Sequence, residues 1–377
     1  MKYYIIAGEA SGDLHGAALI HSLRNQDPKA ECRGWGGDLM QQAGMHLTKH
    51  IRDLAFMGLG QVLKNLPTIV NNFKICHKDI VHFQPNSLIL IDYSGFNLRI
   101  AKWAKNKCIH VMYFISPQIW ATREKRVHKI KAYVDKMYVI LPFEKAFYQK
   151  HHYSVEYVGH PLLDIIKNKI IEPNFRQKHQ LDERPIIALL PGSRKQEIRS
   201  MLNLMIEIAD CFSAYQFVVA AAPSIAQSFY IDLMNETTNV RIISNQTYDI
   251  LQHSHAALVT SGTATLEAAL FKVPQIVCYK TSALMYQLVK RIIKVPYISI
   301  VNLIMGEKVV VELIQKECNI RTLKLQLEQL LAGEARQKML EKYALLEEKL
   351  GTKGATNRAA VSMVLSLKNY LNNQKQS

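Results

Sequence analysis

Nowhere in this 377-residue chain do roughly 18 uncharged apolar residues follow one another, so no helix that crosses a bilayer is expected. The opening MKYYIIAGEASGD holds one Lys and an apolar run too short for a secretory signal, and it soon reaches Glu9 and Asp13. A cytoplasmic location is the resulting expectation, with peripheral membrane contact left open. Cysteine is sparse. Cys32, Cys76, Cys108, Cys211, Cys278 and Cys318 lie far apart, with no CxxC pair and no His at ligand spacing. They read as buried free thiols in a reducing compartment, and no metal site is expected. Acids are also scarce: 31 Asp+Glu stand against 47 Lys+Arg, a formal net charge of +16. That balance suits nucleic acid, an anionic membrane or a phosphorylated substrate, and says nothing about fold. The basic residues are spread out and concentrate only locally, at 102–107 and 123–129. Zinc-finger spacing and an RNP-type strand are missing, which sets nucleic acid aside.

What is present is a globular composition, 49% hydrophobic and 21% charged, long enough for two α/β domains. Tyr3-Tyr4-Ile5-Ile6-Ala7 reads as a buried strand. Gly8-Glu9-Ala10-Ser11-Gly12-Asp13 reads as a tight turn, and residues 14–23 as a helix. Near-continuous apolar runs recur at 87–92, 109–115, 137–141 and 156–159, then at 185–190, 216–220, 240–243, 256–259 and 275–279. Parallel strands covered on both faces have this appearance. The polar stretch 170–184, with Pro173, reads as a linker. The expected plan is an N-terminal domain over 1–170 and a C-terminal domain over 185–350. Residues 351–377 form a helical segment and tail, which can pack back on the first domain. Two such halves imply a cleft, with ligands beyond the carboxyl ends of the strands.

The loops at those ends carry the candidate chemistry. Gly8–Asp13 is neither a G-x-G-x-x-G fingerprint nor a Walker motif, which disfavours dinucleotide dehydrogenases and P-loop NTPases. It is either a turn needing glycine or a place where Glu9 and Asp13 face a ligand. Asp92 ends a buried strand and is either a catalytic base or an anchor for its loop. Pro191-Gly192-Ser193-Arg194 leads into a helix whose free N–H groups suit an anion, with the Arg194 guanidinium beside them. Ser261-Gly262-Thr263 opens another helix and lets a diphosphate approach the backbone, while Glu267, one turn on, can accept both hydroxyls of a ribose diol. His160 can bond a phosphate or cap a turn. The apolar, glycine-containing segment 55–70 is either a core helix or a lipid-facing surface.

Taken together, these residues resemble the lipid-A-disaccharide synthase family over nearly the whole chain. The resemblance rests on Gly8–Asp13, Met57-Gly58, Ile91-Asp92, Phe96-Asn97, Ser116-Pro117-Gln118-Ile119-Trp120-Ala121, Arg126-Val127, Pro142-Phe143-Glu144 and Gly159-His160-Pro161. The second half adds Leu190 to Arg194, Ser261 to Glu267 and Asn302-Leu303. The resemblance implies a GT-B fold of two Rossmann-like domains and an inverting transfer needing neither metal nor cofactor. The implied donor is UDP-2,3-diacylglucosamine and the acceptor 2,3-diacylglucosamine 1-phosphate. The implied place is the cytoplasmic face of the inner membrane, with contact to anionic lipid; an oligomer is left open. Ser193, Arg194, Ser261, Gly262, Thr263, Glu267, Asn302 and Gln315 are then expected on the nucleotide, with Arg194 also aiding departure of the diphosphate. One departure stands out. Family members often carry Asp-x-Pro-Asp-Phe-Asn, and the second acid is the one held to matter. Here the run is Asp92-Tyr93-Ser94-Gly95-Phe96-Asn97. Asp92, Glu9 and Asp13 remain as candidate bases, with Asp92 placed first because it ends a central-looking strand. Another UDP-sugar enzyme of the same fold, such as an epimerase, or a non-catalytic nucleotide-sugar or lipid binder, are the alternative readings.

Overall fold

The computed structural model describes residues 1–54, 66–234 and 239–376. The chain forms two compact units, one of Met1–Pro161 together with Thr352–Ser377, the other of Leu162–Gly351. The first is built on a parallel sheet of β1 (Lys2–Ala7), β2 (Glu31–Gly36), β3 (His46–His50), β4 (Ser87–Ile91), β5 (His110–Phe114), β6 (Lys136–Val139) and β7 (Glu156–Tyr157). Their order is β3-β2-β1-β4-β5-β6-β7. The second unit repeats the scheme with β8 (Ile186–Leu190), β9 (Gln216–Ala221), β10 (Val240–Ser244), β11 (Ser254–Thr260), β12 (Gln275–Tyr279) and β13 (Val311–Ile314), ordered β10-β9-β8-β11-β12-β13. Both are doubly wound sheets, with strand order reversing between β1 and β4 and between β8 and β11. Every residue of β4, β5, β8 and β9 is buried, as strands covered by helices on both faces must be.

One core of the first unit gathers Tyr4, Trp35, Leu88, Leu90, Phe96 and Tyr113. Phe96 stacks on Trp35 at 4.9 Å and on Phe73 at 4.5 Å between ring centroids, so the segment after β4 is pinned to the sheet by an aromatic ring. The C-terminal helix Ala355–Gln376 packs on the helix Ala10–Gln26, burying Ala359, Ala360, Met363 and Leu367.

Several readings of the sequence are corrected. The helix begins at Ala10, so Gly8–Asp13 is not a turn that needs glycine for positive φ. Gly8 is required by contact, since a Cβ there would stand 2.3 Å from the Tyr93 ring, and Gly12 lets the helix close on Ala7. The stretch read as a linker belongs to the second unit, with Phe175 fully buried in its core. The tail is helical to Gln376, where Tyr370 donates to the Cys108 carbonyl at 2.5 Å. Cys108 and Cys211 are exposed; the other four cysteines are buried. Among the described residues no helix is long and apolar enough to cross a membrane.

Candidate active site

Where strand order reverses in the first unit, the chain leaves β1 through Gly8 and Glu9 and leaves β4 through Asp92 and Tyr93. Asp92 and Tyr93 both adopt left-handed backbone, with φ of 43° and 48°. For non-glycine residues this conformation costs about 1–3 kcal/mol each and persists only where neighbours over-determine it. Here they do. The Asp92 carbonyl accepts the Tyr113 hydroxyl and Asn97 Nδ2 at 2.9 Å, and Asn97 Nδ2 also reaches the Ile91 carbonyl at 3.2 Å. Tyr93 then starts the helix Ser94–Lys105. Its ring lies against Gly8, and its phenol is pushed up to about 12, first by burial and then by the charge of Glu9. Glu9 and the Asp92 loop are thus drawn together at one sheet edge.

Asp13 is not part of that group. Its carboxylate accepts the backbone N–H groups of Gly37 at 2.7 Å, Met40 at 3.0 Å and Leu39 at 3.1 Å. A buried acid with both oxygens committed to amides caps the short helix Asp38–Gln42 and is withdrawn as a candidate base. His160 is likewise interior. Its ring meets His15 edge-on at 6.5 Å, and burial first, then the charge of His15, lowers its pKa to about 3. Glu144 is fully buried, and burial first, with the charge of Asp92 adding to it, raises its pKa to about 7. It accepts Trp120 Nε1 at 3.2 Å and the amides of Ile140 and Leu141 at 3.2 and 3.0 Å. It ties the Trp120 segment to the start of the helix Pro142–Lys150.

In the second unit the reversal lies between β8 and β11, where Ser193 and Arg194 follow one strand and Ser261 to Thr263 the other. The two helix starts differ. At the first, Glu197 Oε2 accepts the amides of Ser193 at 3.1 Å and Arg194 at 3.3 Å, while its other oxygen pairs with Arg194 Nη1 at 3.3 Å. These amides already hold an anion, which corrects the picture of free N–H groups there. At the second, the helix Thr263–Leu270 has no side-chain cap, and Gly262 leaves open space where a Cβ would stand. Helix starts of this kind attract phosphate. The Ser261 hydroxyl donates to the Ile298 carbonyl at 2.7 Å. Glu267 is half-buried and accepts the Tyr248 hydroxyl at 3.3 Å, and burial raises its pKa to about 7.

Asn302 and Gln315 have other work. Asn302 is fully buried; its Oδ1 accepts the amides of Val309 and Val310, and its Nδ2 donates to the Val310 carbonyl and Glu312 Oε1, all at 2.8–2.9 Å. Gln315 clasps Thr281, accepting its amide at 2.8 Å and donating to its carbonyl at 3.0 Å. Both side chains shape loops at the carboxyl edge of the sheet; Asn302 has both amide hydrogens and both oxygen lone pairs engaged, whereas Gln315, half-buried, keeps one of each.

The family profile described as "Lipid-A-disaccharide synthetase" matches residues 3–364. The chain belongs to that family. A relative named lipid-A-disaccharide synthase from Trichlorobacter lovleyi is 38% identical over 373 residues, covering 97% of both chains, and one from Syntrophus aciditrophicus is 38% identical over 371 residues, covering 96% of this chain and 97% of its own. Among solved structures, a UDP-GlcNAc 2-epimerase from Neisseria meningitidis bound to UDP-GlcNAc superposes with a TM-score of 0.68 at 14% identity. It covers 97% of this chain and 100% of its own. A glycotransferase of kitacinnamycin gives 0.66 at 13%, covering 97% and 98%. At such identities the likeness concerns fold alone, and it places both units in the GT-B class of Rossmann-like α/β proteins. Membership of the synthase family makes the chain a glycosyltransferase of lipid A biosynthesis and removes the epimerase and binding-only readings.

Sequence reasoning missed Glu197, Tyr248 and Tyr93. For Glu197 a signal existed, since an acid three residues after a helix start is the spacing of a capping box. Tyr248 and Tyr93 meet their acids only through the fold, and no spacing announces them.

Proposed function

We propose that the chain transfers 2,3-diacylglucosamine from its UDP derivative to the 6-hydroxyl of 2,3-diacylglucosamine 1-phosphate, with Asp92 as the general base. The 6-oxygen attacks the anomeric carbon, the bond from that carbon to the diphosphate breaks with its electron pair going to UDP, and the hydroxyl proton passes to a carboxylate. The observation that carries Asp92 is its strained, over-determined backbone at the strand-order reversal. Glu9 is the second candidate, brought close by Tyr93.

The donor belongs to the second unit in this reading. Thr263 and Gly262, at the uncapped helix start, receive the diphosphate and stabilise charge that grows as it leaves. Glu267 receives the ribose diol. Ser261 contributes backbone, since its hydroxyl is spent on Ile298. Arg194 is exposed and supplies a guanidinium, for which Glu197 and a diphosphate compete. No metal enters the scheme.

Product formation from the two acylated sugars in the presence of EDTA tests it, wild type beside Asp92→Ala. Disaccharide from wild type and a loss of roughly a hundredfold or more in the variant is the expected result. Equal product from both moves the base to Glu9. Product that vanishes with EDTA and returns with a divalent ion overturns the metal-free reading.

The substrates are lipids, so the enzyme works against the cytoplasmic face of the inner membrane in this reading. The segment holding Met57 and Val62 lies outside the described residues. The helix that follows, Leu66–Phe83, exposes Val70 and Ile75. Met57→Glu with Val62→Glu is expected to lower sedimentation with anionic vesicles; unchanged partitioning rejects the surface.

A further inference from the structure

The first unit carries a group of cations that the reaction as derived does not use. Arg126 Nη1 donates to the Ser94 hydroxyl at 2.7 Å, which holds a half-buried guanidinium at the first residue of the helix Ser94–Lys105, two positions after Asp92. Arg99, one turn further along that helix, lies over the Phe73 ring at 5.8 Å. Arg123 starts the short turn that ends in Arg126 and closes it, its carbonyl accepting the Arg126 amide at 2.9 Å. None of the three forms an ion pair with a carboxylate among the described residues, and the first turn of the helix holds no acid. The charges also bear on one another. Burial, Arg123 and Arg99 all lower the pKa of Arg126, in that order. The Tyr113 hydroxyl, which donates to the Asp92 carbonyl, senses Asp92 and Arg126 with opposite sign.

Three guanidinium groups that bear on one another and form no ion pair among the described residues carry a repulsion that a dianion removes. Their planar forks match phosphate oxygens, and the positive end of the Ser94–Lys105 helix adds to the attraction. Asp92 and Ser94 are near neighbours in the chain, so the cations stand beside the proposed base. An acceptor whose 6-hydroxyl meets that base carries its only strong anion at C1, across the same sugar ring.

We propose that Arg126, with Arg99 and Arg123, forms a phosphomonoester site on the first unit that recognises the anomeric phosphate of the acceptor. It rests on the transfer reaction proposed above. The arginines thereby select the phosphorylated acceptor over the same sugar without phosphate, and fix which end of the ring faces Asp92.

The test compares kcat/KM for the acceptor with and without its 1-phosphate in wild type, Arg126→Ala, Arg126→Lys and the exposed-site variant Arg99→Ala. The preference for the phosphorylated acceptor is expected to fall roughly tenfold to a hundredfold in Arg126→Ala, less in Arg126→Lys and Arg99→Ala, with KM for the UDP-sugar unchanged. A variant that slows both acceptors equally and keeps the preference overturns the proposal, because a merely structural arginine gives that result. If wild type transfers to neither acceptor, the reaction reading has failed. Binding of glucosamine 1-phosphate then decides the site alone: weaker binding by Arg126→Ala supports it, and equal binding sinks it. Sedimentation with phosphatidylglycerol vesicles separates the other source of phosphate. Loss of vesicle binding with an intact acceptor preference assigns the arginines to bilayer headgroups and overturns the proposal.

Discussion

At the scale of single residues, the polar groups at the two sheet edges divide by where their hydrogen bonds go. Asp13, Asn302 and Gln315 spend theirs on backbone; Glu9, Asp92 and Glu267 stand where substrate chemistry is proposed. The division makes distinct demands. Asn302→Ala leaves the part-buried amide of Val309 and the buried amide of Val310 without an acceptor, which costs about 1–3 kcal/mol for the buried group. Its expected signature is a lowered melting temperature, with UDP affinity changed by less than about tenfold where the variant is folded. Selective loss of UDP binding in a protein of normal stability returns Asn302 to the nucleotide site. Glu267 has the opposite signature. Its pKa is raised to about 7 by burial, so the folded protein keeps a proton there that an unfolded chain releases in the ordinary carboxylate range. Its contribution to stability is therefore greatest at low pH and declines as pH climbs through 7. If the anion holds the ribose, UDP binding strengthens over that same interval, and Glu267→Gln removes the dependence. Calorimetric titration from about pH 5.5 to 8.5 measures it, and a profile that Glu267→Gln leaves unchanged assigns the dependence elsewhere. None of this partition was legible from residue type, because an Asn or Asp near a sheet edge looks the same whether it meets ligand or main chain.

At the scale of elements, legibility followed burial. β1, β4, β5, β8 and β9 are apolar runs because helices cover both faces, and each stood out in the sequence. β2 and β3, reading ECRGWG and HLTKH, and the short β13 mix polar and apolar positions and went unread. The glycines before Leu14 suggest a turn, yet the helix already runs from Ala10, and Gly8 and Gly12 serve close contact with Tyr93 and Ala7. Gly95 is the reverse case. It lies exposed in the first turn of Ser94–Lys105, nothing stands within 4 Å of an added Cβ, and its φ is not positive. Space does not forbid an acid at this position. Gly95→Asp is expected to stabilise the helix by about 1 kcal/mol, from propensity and from a negative charge at a positive helix end. A rise of about 2–4 °C in melting temperature would register it. A fall would mean that the Asp92–Tyr93 turn needs the glycine for reasons beyond space.

At the scale of the molecule, the two sheets repeat one winding scheme, but the first unit is assembled from both ends of the chain. The closing helix makes its bonds there: Arg358 Nε donates to the Val158 carbonyl at 2.9 Å, Ser362 to Glu156 at 2.6 Å, and Ser366 meets His110 at 3.0 Å. Removing residues 352–377 should therefore loosen the first unit and leave the second intact. Amide exchange should show faster opening in β1 and β5 with β8 and β11 unaffected; uniform loss across both sheets would contradict the division. The same threading sets an order in time. On the ribosome the first sheet is finished early, yet the helix that packs on its opening helix emerges only after all of Leu162–Gly351 has been made. At about 5–20 residues per second that interval is on the order of ten seconds or more. For that long the nascent first unit waits, its sheet complete and its opening helix without the partner that packs on it.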